Sequence, residues 1–190
     1  MTMDRRGFVK RAIGGATLQL AFEFSGGVFL LTPKQARAQE VTLGQLSTGE
    51  AAVLEHLAEG LVPEAVESGV IHFIDHQLGA SPDDCMLIAK YFQVKPPYQQ
   101  FYLNGIKACE SLANRRFKTN VVDLSPEQLV EFLQVIGNPK TPPESDYPLS
   151  LFYLCLRSDA VDVVYGTPEG FKKLNVPYMA HIMPPEEWNA

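Results

Sequence analysis

No two cysteines of this chain stand two residues apart and no Cys-x-x-Cys-His occurs, which excludes the usual zinc and iron–sulfur spacings and a c-type haem attachment. The three cysteines, Cys85, Cys109 and Cys155, each sit in an apolar helical pattern, where a free thiol behaves as a small buried hydrophobe. No Gly-x-Ser-x-Gly, Gly-x-Gly-x-x-Gly or phosphate-cradling glycine loop is present, so a nucleophile elbow and a dinucleotide fold are not expected. Positive charge is also scarce. There are 16 Lys and Arg against 22 Asp and Glu, and Arg5, Arg6, Lys10, Arg11, Lys34 and Arg37 all precede Gln39. The chain beyond Gln39 is therefore strongly acidic, which argues against nucleic acid or direct binding to anionic lipid. The short cluster Arg115-Arg116-Phe117-Lys118 fits the negative end of a helix dipole. The run Ala12 to Leu31 contains Glu23 and much Gly and Ala, too weakly hydrophobic for a membrane span.

What the sequence does contain begins at Asp4-Arg5-Arg6-Gly7-Phe8-Val9-Lys10. Adjacent Arg5 and Arg6, the apolar Phe8 and then Lys10 form a twin-arginine export pattern, and Ala36 and Ala38 provide small residues for cleavage before Gln39. The expected organisation is a signal peptide over 1–38 and one domain over 39–190. That export route carries proteins already folded in the cytoplasm, so the expected location is the periplasm.

After Gln39 the helix signals come in close succession. Ser47-Thr48-Gly49-Glu50 is a capping box opening a helix that Pro63 ends, and a second helix runs from Glu64 to Leu78 with Gly79 behind it. Ser81-Pro82-Asp83-Asp84 predicts a third helix to about Phe92, with Asp83 and Asp84 as first-turn charges. Pro96-Pro97 precedes a long amphipathic pattern from Tyr98 to Phe117, and Ser125-Pro126-Glu127-Gln128 opens a helix that stops at Gly137. Asn138 to Pro148 is a proline-rich loop, and Leu149 to Val164 is apolar enough to be the central helix. The fold class is therefore all-α, an irregular bundle of about six helices. The part from Tyr165 to Ala190, dense in Gly, Pro and aromatics, predicts an extended tail that wraps the bundle or lies on another protein.

Candidates for chemistry are few. His72 and His76, four apart on one helix face with Asp75 between them, have metal-ligand spacing, but no third ligand is set by spacing. His56 between Glu55 and Glu59 reads most simply as a solvated helix face.

Three separated stretches resemble the gluconate 2-dehydrogenase subunit 3 family. They are Leu46-Ser47 through Leu61-Val62-Pro63 to Phe73-Ile74-Asp75; Phe117 with Leu124-Ser125-Pro126-Glu127-Gln128; and Phe152-Tyr153 and Leu156-Arg157 with Tyr165-Gly166-Thr167-Pro168-Glu169-Gly170-Phe171 and Val176-Pro177-Tyr178. The resemblance implies a non-catalytic small subunit, without a cofactor of its own, beside a large FAD-containing subunit of the glucose-methanol-choline class. A multihaem cytochrome c subunit commonly completes such a complex, so FAD and haem c are expected in partners, with room there for an iron–sulfur centre. Membrane association would arise only through the complex. The small subunit would escort the large one through twin-arginine export, with Phe152, Tyr165, Gly166, Pro168, Phe171, Tyr178, Pro184, Pro185 and Trp188 as its partner interface. The other reading is a free-standing periplasmic metal-binding protein or enzyme using His72 and His76.

Overall fold

The computed structural model describes residues 18–139 and 146–176. Seven α-helices and one two-stranded sheet make up the described fold. Strands β1 (Leu20–Phe24) and β2 (Gly27–Leu31) pair antiparallel with Phe22 opposite Phe29. Ser25 and Gly26 join them, both at positive φ, the two-residue connection whose twist suits a hairpin. Helix α1 (Pro33–Ala38) comes next, capped by Thr32 and Gln35 in a reciprocal box with proline in its first turn.

Helix α2 (Thr48–Leu61) opens on the expected Ser47/Glu50 box. The next helix is shorter than its apolar stripe predicts. Glu64 takes positive φ, its N–H and that of Val66 donate to the Glu59 carboxylate at 3.0 and 2.9 Å, and only from Gly69 does helix α3 (Val70–Leu78) begin. Gly69 lies so close to α1 that a Cβ there would sit 2.1 Å from the Pro33 carbonyl oxygen. Chain contact, not helix propensity, fixes this start.

The predicted third helix is absent. Ser81 and Asp84 close a local turn, in which the Ser81 hydroxyl donates to the Asp84 carboxylate and accepts from its N–H. Regular structure returns only as a 3-10 turn, Ile88–Lys90. Capping residues compete with the helix they would start, and no apolar face beyond Asp84 outweighs that turn. Helix α4 (Tyr98–Phe117), helix α5 (Pro126–Gly137) behind the Ser125/Gln128 box, and the central helix α6 (Leu149–Tyr165) obey their patterns. Helix α7 (Pro168–Lys173), capped by Thr167, occupies what the sequence predicts as the extended start of the tail. Thr167-Pro168-Glu169 is a cap, a first-turn proline and a first-turn acid, a signal that the glycines on either side obscure.

Helix α6 packs against α2, α3, α4, α5 and α7. Its Phe152 is wholly buried beside Phe101 and Tyr102, and a Cβ on Gly105 of α4 would lie 2.2 Å from the Phe152 ring. This small residue lets the two backbones approach. Gly105→Ala gains helix propensity of about 1 kcal/mol but forces an enclosed ring to move at about 1–3 kcal/mol. The expected result is a melting temperature lowered by a few degrees, read by circular dichroism; an unchanged or raised value contradicts this packing.

Candidate functional site

The structure gives His72 and His76 a task other than metal binding. His72 Nε2 lies 3.1 Å from the carbonyl of Val41, just beyond α1, and His76 Nε2 lies 3.1 Å from the carbonyl of Ala21 in β1. A carbonyl only accepts, so both imidazoles carry their proton on Nε2. His76 Nδ1 is then free to accept from Gln77 Nε2 at 3.3 Å, and the Phe22 ring meets the imidazole edge-on at 5.1 Å. His72 Nδ1 is buried without a partner. Burial holds both imidazoles below their ordinary pKa, against the opposing effect of those carbonyls. Among the described residues no group of three or more His, Cys, Asp and Glu side chains is placed to hold a metal.

Asp75, between the two histidines, is engaged with a different stretch of chain. Its carboxylate accepts from the N–H groups of Gly44, Gln45 and Leu46 at 2.8, 2.8 and 2.9 Å, fixing the approach to α2. One turn of α3 therefore holds the hairpin, the α1 exit and the α2 entry. The three cysteines are buried and unpaired, and burial raises the thiol pKa of each, that of Cys155 to about 12.

The expected interface residues fall into three sets. Phe152 is core and unavailable to a partner. Tyr165, Pro168 and Phe171 are half-buried, while Gly166 caps α6 at the surface. Tyr178, Pro184, Pro185 and Trp188 lie outside the described residues, as do Arg5, Arg6, Phe8 and Lys10. Leu174 and Val176, just before the tail, are exposed.

An apolar surface that helix periodicity missed lies on the 79–97 loop. Cys85, Leu87 and Ala89 point inward, while Met86, Tyr91 and Phe92 are 39%, 68% and 45% exposed. Two buried side chains hold the loop from beneath: Gln77 Oε1 accepts from the Met86 N–H at 2.8 Å, and Asp159 accepts from the Ile88 N–H at 2.9 Å. The alternation of Cys85 through Ala89 is the signal that could have marked it. A groove of about 580 Å³ separates α1 from the α6–α7 corner, but lysines on its rim are already paired, Lys34 with Glu67 at 2.6 Å and Lys173 with Glu64.

These features define a helical domain whose buried polar groups serve to hold irregular segments, with apolar groups presented outward on a loop. Residues 48–183 match the profile of gluconate 2-dehydrogenase subunit 3, and the chain belongs to that family. The family is that of a subunit of a dehydrogenase complex, in keeping with an accessory role. The same comparisons found no matching curated protein and no matching solved structure.

The two histidines give the contacts of α3 with β1 and with the α1 exit a pH dependence. Their folded pKa values lie below the unfolded one, so their contribution to stability is present above about pH 6.5 and is lost as pH falls below it. The charged groups facing His72 are Arg37, Glu55 and Asp75, and Asp75 also faces His76. Amide exchange in β1 is therefore expected to accelerate between about pH 7 and 5, beyond its intrinsic pH dependence, relative to α6. His76→Gln, which keeps a donor for Ala21, should weaken that response; an unaltered profile refutes the assignment.

Proposed function

We propose that this chain is an accessory, non-catalytic subunit that binds a large FAD-containing dehydrogenase subunit of the glucose-methanol-choline class and escorts it to the periplasm. The observation that carries this reading is the family match over residues 48–183. The twin-arginine pattern at Arg5 and Arg6, with Phe8 and Lys10, supports the export step, because that route accepts a folded pair. A multihaem cytochrome c subunit completes the assembly in this reading. FAD and haem c reside in the partners, as would any iron–sulfur centre, and the complex alone brings the chain to the membrane.

Docking uses two surfaces. One is the 79–97 loop with Met86, Tyr91 and Phe92. The loop is anchored from beneath, so presenting its aromatics to a pocket costs little further entropy. The other continues from Tyr165 and Phe171 through Leu174 and Val176 toward Tyr178 and Trp188.

Export is tested by expressing the flavin subunit with a chain carrying Arg5→Lys and Arg6→Lys. Both proteins are expected to remain in the cytoplasm; a flavin subunit that still reaches the periplasm overturns the escort reading. Docking is tested by Tyr91→Asp combined with Phe92→Asp. Co-purification of the flavin subunit should fall by roughly ten-fold or more. Stability should stay within about 0.5 kcal/mol per site, because these side chains are exposed. Undiminished co-purification removes this loop from the interface.

A further inference from the structure

We infer that residues 18–38 are a permanent part of the folded domain and that the chain is not cut between Ala38 and Gln39. Any processing compatible with this fold falls before Leu18, so the Ala36-x-Ala38 motif is not a cleavage site.

The geometry at the bond itself carries the inference first. Ala38 closes α1, and the Gln39 N–H, the amide of the bond in question, donates to the Gln35 carbonyl at 3.0 Å. The next residue, Glu40, takes positive φ, and the Val41 N–H turns back to the Ala36 carbonyl at 3.0 Å. Ala36 is 0% exposed. A protease reading small residues at these two positions needs the chain extended with both side chains accessible, and here it is helical with one of them enclosed.

The segment before the bond is tied to the rest of the domain by independent contacts. Leu20, Phe22, Leu31 and Ala36 join the same buried cluster as the helices. Arg37 pairs with Glu55 of α2 at 2.5 Å. His76 holds β1, while the His72 contact reaches Val41, on the far side of the bond. Gly69 is shaped to the Pro33 carbonyl, so α3 itself begins where α1 leaves room. Removing 1–38 would take from His76 its acceptor at Ala21 and the Phe22 ring beside it, and would strip apolar cover from α3. Burial of these large apolar side chains makes spontaneous release of the hairpin a rare opening.

Two measurements test the inference. In the first, the purified full-length chain is incubated with solubilised signal peptidase, with a synthetic peptide of residues 28–44 giving the unhindered rate. Cleavage of the folded chain after Ala38 is expected to be slower by roughly ten-fold or more, since it waits on local opening. Cleavage at the peptide's rate overturns the proposal. In the second, the chain is recovered from the cells that make it and its intact mass and N-terminal sequence are determined. A species retaining 18–38 is expected, and a population beginning at Gln39 overturns it. The digestion needs no export, so a chain that never leaves the cytoplasm would refute the escort reading without touching this one.

Discussion

Asp159 is the constraint on which the centre of the fold depends. It lies within α6, the helix that touches most others, and is 1% exposed. Its carboxyl accepts from the Tyr102 hydroxyl on α4 and from the Ile88 N–H of the 3-10 turn, joining three segments at one group. Burial lifts its pKa to about 7 against the lowering effect of those two donors, with Asp162 adding to the rise. The native state thus keeps a proton here that the unfolded chain gives up near pH 4. Stability from this group is fully present below about pH 4 and is lost as pH rises through about 7, the reverse of the dependence from His72 and His76. Removing the Tyr102 hydroxyl would leave a buried acceptor short of a donor, at about 1–3 kcal/mol.

The same device recurs at the edges of the bundle. Asp75 gathers three backbone N–H groups before α2, Glu59 takes two in the turn before α3, and Gln77 takes one beneath the 79–97 loop. Irregular chain carries donors that helices would satisfy internally, and in each case a carboxylate or amide on a neighbouring helix supplies the acceptor. Acidic side chains are thereby engaged in architecture. What remains outward on the anchored loop is apolar, a surface suited to a partner more than to a reaction.

Much of the helical order was legible because caps act locally. Ser47/Glu50 and Ser125/Gln128 form reciprocal boxes where their spacing predicts them, and the apolar run from Leu149 is the hub. Three features were not, each for a tertiary reason. The stripe from Glu64 suits a helix, but Glu59 and the α1 backbone claim its first residues. Ser81-Pro82-Asp83-Asp84 carries every local mark of a helix start, yet Cys85, Leu87 and Ala89 are drawn inward through a turn and a 3-10 segment. Tyr91 and Phe92 read as the end of that helix, so their exposure could not be seen. Of the expected interface, Phe152 failed because apolar periodicity does not distinguish an aromatic that meets a partner from one that fills the space above a glycine.

The start of the chain shows the deepest ambiguity, because two readings draw on the same composition. A weakly apolar run ending in Ala-x-Ala is what a processed leader needs, and weak hydrophobicity is also what a half-exposed hairpin needs. Periodicity separates them. Leu20, Phe22 and Phe24 alternate with Ala21 and Glu23, Ser25-Gly26 supplies a turn at positive φ, and Thr32-Pro33 with Gln35 caps a helix. A leader read only in passing has no reason to alternate, to turn or to cap, and α3 has no reason to hold it through the His76 imidazole. Residues 18–38 therefore belong to the fold, whatever the stretch around Arg5-Arg6 addresses.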